Sequence, residues 1–470
     1  MTGKKKPIKK RSRAESLQEK GQKPRPNLRF PWAGDVAAGE PTLGDRLTSL
    51  DAAFPSAPIT ERDLFAGRAS ELDMLIGATD EAGQHVIVFG ERGVGKTSLA
   101  NVAARILHFR DPDVVTPAVS CTAGDNFTTI WHRVFEQVPT VPSYRPGFAV
   151  TRAQKVGSLA DELGSGRITP AMACARLALV EKVRSIVVIL DEFDRLRDPD
   201  TSVNVADVIK MLADSGAKAT LVLVGVADTI DALIAEHGSI DRAIVQVRMP
   251  RMSDDELAQI IQRGLSRVRI GIEPDARANI IALSQGLPFY THQLTKIAAK
   301  RTIREGRSVI GLPDLQAAVR DAVARRQGSI ASLYTRAVAS PQRDHLFAEV
   351  LLACALAEID ERGFFSPGSL RPALTAITGR DYKVATFQRH LLQFCEPGRG
   401  PVLEREGTAR RYRFRFCDPL TGPFVLMRGI AGGAISSEEA VRRSGELSLS
   451  WRRSMSEDRK VPSPERATSG

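Results

Sequence analysis

From His85 to Asn101 the chain reads HVIVFGERGVGKTSLAN, and this stretch constrains the fold more than any other. Four apolar residues, Val86 to Phe89, run into Gly90-Glu91-Arg92-Gly93-Val94-Gly95 and close on Lys96, Thr97 and Ser98. The spacing is G-x-x-x-x-G-K-[ST], set between an expected strand and an expected helix. Glycines let the backbone curl so that successive N–H groups face inward and form an anion-binding concavity. A helix beginning near Lys96 adds the positive end of its dipole. Lys96 then neutralises the β and γ phosphates, and the Thr97 hydroxyl takes one position on Mg²⁺. Residues Gly90 to Ser98 are therefore expected to bind a nucleoside triphosphate.

A chain of 470 residues is expected to hold two or three domains. Its net charge of +11 is unevenly placed. Residues 1–30 hold eleven Lys/Arg against two Glu, a surplus of nine, so the other 440 residues carry about +2. Rich in proline and poor in apolar residues, this basic arm is expected to be disordered and suited to phosphate contacts. No apolar run approaches a membrane span, and no apolar segment follows the N-terminal lysines as a secretory signal requires. Cys121, Cys174, Cys354, Cys395 and Cys417 are scattered without metal spacing, which reads as reduced thiols in the cytoplasm.

The arm and an irregular lead-in are expected over 1–58, with prolines interrupting any periodicity. An α/β core follows over 59–252. Its strands are expected near 86–89, 114–121, 185–190, 219–224 and 243–247, separated by helices, with a long surface insertion at 139–170. Strands alternating with helices imply a parallel sheet whose ligand crevice lies at the strand carboxyl ends. An all-α lid is expected over 253–335, opened by the capping box Ser253-Asp254-Asp255-Glu256. Three helices followed by two short strands over 341–430 give the order of a winged helix. A disordered tail is expected from 431 to 470.

The strand Ile186–Leu190 ends in Asp191-Glu192. An acid there, beside the phosphate loop, can hold Mg²⁺ through water, and its neighbour can orient or deprotonate the attacking water. Asp194 reads as a helix cap. Together, GERGVGKT, ILDEFD and the strand LVLVGVADT with its following Arg-containing turn resemble an AAA+ ATPase of the origin-recognition branch and the bacterial ATPases grouped with it. The resemblance covers about residues 60–330 and implies ATP with Mg²⁺ as ligands. It also implies that Phe65 and Arg68, in a box beginning Phe65-Ala66-Gly67-Arg68, lie near the adenine. Asp228 falls where a polar residue senses the γ-phosphate. Arg242 falls where an arginine finger reaches a neighbouring subunit, which implies a homo-oligomer or a related AAA+ partner. The lid departs from the pattern: Gly286-Leu287-Pro288-Phe289 carries no arginine, with His292 or Lys296 as substitutes if they do not simply pack. Slow hydrolysis is the expectation.

In the last strand Arg411, Arg413 and Arg415 alternate with Tyr412, Phe414 and Phe416. Period two places the arginines on one face, suited to DNA phosphates, while Gln388, Arg389 and His390 on the third helix are candidate base readers. The leading expectation is an ATPase that couples its nucleotide to assembly on duplex DNA or to recruitment of an unidentified protein. The alternative is a STAND-like ATP-dependent signalling switch whose winged helix docks protein. A DNA-independent chaperone-like ATPase is a third.

Overall fold

Parallel pairing organises the molecule. The computed structural model describes residues 42–55, 57–140, 157–164, 166–182, 184–226, 238–325, 328–341, 345–360, 362–408 and 411–443. The elements below all belong to one unit, Leu43–Gly470. Five strands form the central sheet: β1 (His85–Phe89), β2 (Ala118–Ser120), β3 (Val187–Asp191), β4 (Thr220–Gly225) and β5 (Ile244–Arg248). Their order is β2-β3-β4-β1-β5, and every pairing is parallel.

Alternation along each strand feeds two cores. Val86 and Val88, Val187 and Ile189, and Val222 and Val224 face one layer; Ile87, Val188, Leu190, Leu221 and Leu223 face the other. The second layer holds α4 (Phe127–Glu136), α5 (Pro170–Glu181) and α6 (Pro199–Ser215). The first holds α2 (Ala69–Asp80) and α3 (Lys96–Arg110), and the same core continues into the lid and the C-terminal helices. With both faces covered, the strands are near-continuous apolar runs, which is why they are readable in the sequence.

The lid comprises α7 (Asp254–Arg267), α8 (Pro274–Ser284), α9 (Pro288–Arg304) and α10 (Leu312–Arg325). The Ser253 hydroxyl and the Glu256 carboxylate cap α7 reciprocally. The lid also contains a two-residue parallel pair, β6 (Gly271–Ile272) with β7 (Val309–Ile310). After α11 (Ser329–Val338) come α12 (Phe347–Ala355), α13 (Arg371–Thr378), α14 (Val384–Phe394) and the antiparallel hairpin β8 (Leu403–Glu406)–β9 (Arg413–Phe416). Phe365 pairs with Phe414 on the hairpin's other edge.

Two expectations need correction, and one helix went unread. The lead-in is not irregular throughout: α1 (Leu43–Ala53) is a helix, with Leu50, Ala53 and Phe54 buried. Leu47, Leu50 and Phe54 give it an apolar face at helical spacing, which the flanking Pro41 and Pro55 obscured. Phe54 lies so close to α7 that a Cβ at Gly264 would sit 2.2 Å from its ring, so only glycine admits it. The expected tail is ordered at its start, with residues 437–443 helical and Ile435 and Ala440 buried. The chain also forms α15 (Thr421–Ala431), whose first seven residues are all buried, against α10 and α12. Gly422 and Pro423 disguise it as a turn. The basic arm to residue 41, insertion residues 141–156, and Asp228 lie outside the described residues. Among the described residues no helix is long and apolar enough to cross a membrane.

His85, at the start of β1, is buried, and its Nδ1 accepts the Leu221 N–H at 3.0 Å. Burial lowers its pKa to about 4, so the folded imidazole is neutral. An unfolded histidine protonates near 6.5, so the unfolded state binds more protons between these values. The stability that His85 contributes is thus present above pH 6.5 and lost as pH falls toward 4, up to about 3 kcal/mol. Chemical denaturation at pH 7 and pH 5 is expected to show a shallower loss for His85→Gln than for the natural chain; parallel losses would contradict this.

Candidate functional site

The carboxyl ends of β1 and β3 bring the phosphate loop and the paired acids together. Gly90, Gly93 and Gly95 have φ of 154°, 88° and 99°. Gly90 is irreplaceable on a second ground, since a Cβ there would lie 2.2 Å from the Met249 carbonyl oxygen. Val94 is fully buried and anchors the loop from beneath. Gly95, in the left-handed region, starts α3, so Lys96 and Thr97 occupy its first turn. The Lys96 ammonium donates to the carbonyls of Gly90 and Glu91, both at 2.9 Å. Burial lowers its pKa, and Asp194, Asp191 and Glu91 offset part of that. Ser98 accepts the Ile59 N–H at 3.1 Å, tying the segment before α2 to this helix.

The Thr97 hydroxyl stands beside Asp191, whose pKa is raised chiefly by burial and lowered in part by this neighbour. Among the described residues no cluster of three His, Cys, Asp or Glu side chains could hold a metal by itself. A hydroxyl and one acid match instead an ion that takes its remaining ligands from phosphates and water, as Mg²⁺ does. Glu192 has φ of 53°, a strained conformation for a residue with a side chain. Its carboxylate accepts from Arg195 at 2.6 Å and from the Ser120 hydroxyl at the end of β2 at 3.2 Å. Arg195, in the turn after the acids, and Ser120, the last residue of β2, had no marker in the sequence.

A cavity of about 1010 Å³ begins at this loop and extends between the segment before α2 and helix α9. Phe65 and Arg68 both line it. The Arg68 guanidinium is committed to structure: it donates to Glu71 at 3.1 Å and to the Pro250 carbonyl. Phe289 packs beside Gly93, at the lid position where the resemblance led us to expect an arginine. The substitutes considered for that arginine are engaged otherwise. Lys296 pairs with Asp51 of α1 at 2.9 Å. Burial lowers the pKa of His292 to about 4, leaving it uncharged, and the Phe54 ring meets it edge-on with centroids 5.7 Å apart. Arg242 does not line the cavity; it stands 80% exposed and reaches Asp214 at 3.2 Å.

The loop's outer face carries contacts that no motif announced. Arg92 pairs with Asp418 at 3.1 Å. The Leu420 side chain lies against Gly93, and the Tyr290 hydroxyl of α9 donates to the Leu420 carbonyl at 2.6 Å. Glu91 accepts from Arg251 at 2.6 Å; Arg251 also donates to the Gln285 carbonyl, and the Gln285 amide donates to the Ala355 carbonyl at 2.6 Å. The C-terminal unit thus touches the phosphate loop directly and through a half-buried ion pair.

The candidate DNA contacts fare unevenly. Arg389 and Arg411 are exposed and Gln388 is half-buried, whereas His390 is buried in its helix face and is no base reader. Arg413 pairs with Asp360 at 2.7 Å and Glu406 at 3.1 Å, and Arg415 pairs with Glu404 across the hairpin. The strand pattern showed the arginines sharing a face but not the carboxylates opposite them.

Strand order, phosphate loop and acids define a P-loop nucleoside triphosphatase of the AAA+ type. The family profile described as Novel STAND NTPase 1 matches residues 56–361, nearly two thirds of the chain, and the chain belongs to that family. Among solved structures it resembles the Walker-type ATPase PABY2304 of Pyrococcus abyssi, with 15% identity, a TM-score of 0.50, and 79% of this chain and 99% of that one covered. It is also similar to the ORC2 protein of Aeropyrum pernix (14% identity, TM-score 0.43, 84% of this chain and 100% of that one). The ORC1 protein of the same organism, solved in complex with DNA, gives 15%, 0.43, 82% and 97%. No curated protein sequence matches.

Removing the Lys96 ammonium leaves the loop without its cation. Lys96→Ala is expected to weaken nucleoside triphosphate binding at least tenfold, about 1.4 kcal/mol, in calorimetric titration; unchanged affinity would show that this loop is not the phosphate site.

Proposed function

We propose that the chain is an ATP-dependent switch in which the C-terminal unit, read as a winged helix, docks in cis on the phosphate loop and is released when ATP binds. The observation that carries this reading is the placement of Asp418 and Leu420 on Arg92 and Gly93, at the loop that meets the triphosphate. A ligand that reorders the loop necessarily changes those contacts, and a ligand shifts an equilibrium only through contacts that differ between states. Family membership points the same way. The freed surface would recruit a partner protein.

Within this reading Lys96 holds the β and γ phosphates, while Thr97 and Asp191 would hold Mg²⁺, which would supply charge stabilisation for the transferring phosphoryl group. Glu192 serves as the base that orients or deprotonates the attacking water, once it leaves Arg195 and Ser120. Asp228 and Arg242 keep their proposed roles, γ-phosphate sensor and finger toward a second subunit. With Phe289 at the lid position and no charged substitute from His292, hydrolysis would be slow. That suits a timer more than a motor.

Assembly on DNA is the second reading, favoured by the surplus of nine positive charges in residues 1–30. Arg389 and Arg411 would add phosphate contacts. Arg413 and Arg415 contribute less, because Glu406 and Glu404 across the hairpin, and Asp360 beside it, balance their charge.

Two measurements test the switch. Hydrogen exchange over residues 415–424 is expected to speed up at least fivefold with ATP·Mg²⁺ in the natural chain and not in Lys96→Ala. Equal exchange in the empty, ADP and ATP states would end the reading. Glu192→Gln is expected to keep ATP affinity within threefold while steady-state phosphate release falls a hundredfold or more; unaltered turnover would move the base elsewhere.

A further inference from the structure

One arginine at the phosphate end of the cavity has been given no task of its own. The lysines and arginines that line the cavity are Arg68, Arg92, Lys96, Arg195, Lys296 and Lys300. Arg68 is held by Glu71 and the Pro250 carbonyl, Arg92 by Asp418 and Lys296 by Asp51. Lys300 lies one helical turn beyond Lys296 on α9, farther from the loop end marked by Phe289 at Gly93. Arg195 remains. It closes the short turn Phe193–Arg195 after β3, which the buried Phe193 ring anchors. Its guanidinium donates to the Glu192 carboxylate at 2.6 Å, the one side-chain hydrogen bond it makes among the described residues. The two side chains are 53% and 45% exposed, and an exposed pair of this kind contributes little to stability. Arg195 can therefore exchange its partner.

We propose that Arg195 is a catalytic arginine acting within its own chain, passing from Glu192 to the γ-phosphoryl group as that group leaves ADP. This inference rests on the reading of Glu192 as the base at a nucleoside triphosphate site. A base stands within hydrogen-bond reach of the water it activates, so a guanidinium already on that carboxylate starts beside the reacting centre. In the step, the water oxygen bonds to the γ-phosphorus as the bond from that phosphorus to the β–γ bridging oxygen breaks. The water's proton passes to Glu192, and the bridging oxygen stays on ADP. The fork of Arg195 donors meets the negative charge that develops on the phosphoryl oxygens. The same movement frees the carboxylate that must take the proton. Phe289 at the lid position brings no charge, and Arg242, 80% exposed and outside the cavity, can help only from a second subunit. Were Arg195 merely a restraint on Glu192, its removal would speed turnover instead of slowing it.

Calorimetric titration with ADP·Mg²⁺, with and without aluminium fluoride, provides the test, because ADP with the fluoride mimics the phosphoryl group in flight. In the natural chain the fluoride is expected to tighten ADP binding at least tenfold. Arg195→Ala is expected to reduce that gain to below threefold while affinity for ADP alone stays within threefold, and to slow phosphate release about a hundredfold. Arg195→Lys keeps the charge and is expected to recover part of the gain. A gain that survives in Arg195→Ala, or phosphate release that rises in it, overturns the inference and makes Arg195 a restraint. Equal weakening of ADP with and without fluoride overturns it too, and makes Arg195 a structural residue. So does a natural chain that binds ADP and gains nothing from fluoride. Failure of the natural chain to bind any adenine nucleotide would instead defeat the underlying nucleotide reading, and this inference with it.

Discussion

Parallel pairing of β1, β4 and β3 is the constraint on which the rest depends. Because the strands run the same way, the turn after Phe89 and the acids after Leu190 emerge at one edge of the sheet. Lys96, Thr97, Asp191 and Glu192 therefore meet although about a hundred residues of chain separate the two pairs. An antiparallel β3 would send Asp191 to the opposite edge and leave the phosphate loop without its acid.

The second consequence is mechanical. The core on one side of the sheet continues through α3 into the lid and on to α12 and α15, so the C-terminal unit does not hang from a linker. Its turn at Asp418–Leu420 sits on the phosphate loop, and the Arg251 pair links Glu91 to the lid's Gln285 and thence to Ala355. Packed interfaces of this kind have discrete arrangements more readily than continuous ones, which is how a small change at a ligand becomes a large one at a surface.

Much of this was legible in the chain. Strands buried on both faces leave long β-branched runs, and the glycine-lysine-threonine spacing has few structural uses apart from phosphate. Other parts were hidden for definable reasons. Helix α1 lies between prolines, and α15 carries Gly422 and Pro423 inside its first turn. Docking on Gly93 uses Leu420 and Asp418, residues whose types mark nothing until the fold places them. Arg413 and Arg415 alternate with Phe414 and Phe416 in β9, whereas Arg411 lies before the strand; charge balance depends on the strand opposite, and register set that. His390, named with Gln388 and Arg389 as a candidate base reader, is buried with Phe347 packed on it.

The central claim is that docking of the C-terminal unit and binding of the triphosphate oppose each other. Coupling is reciprocal, so loosening the docked contact must change nucleotide preference by the same factor that nucleotide changes docking. The direct measurement is the ratio of ATP to ADP affinity in the natural chain and in a double variant, Asp418→Ala with Leu420→Ala. The variant is expected to shift the ratio toward ATP by fivefold or more. An unchanged ratio, in a variant that still folds and binds ADP as before, would contradict it.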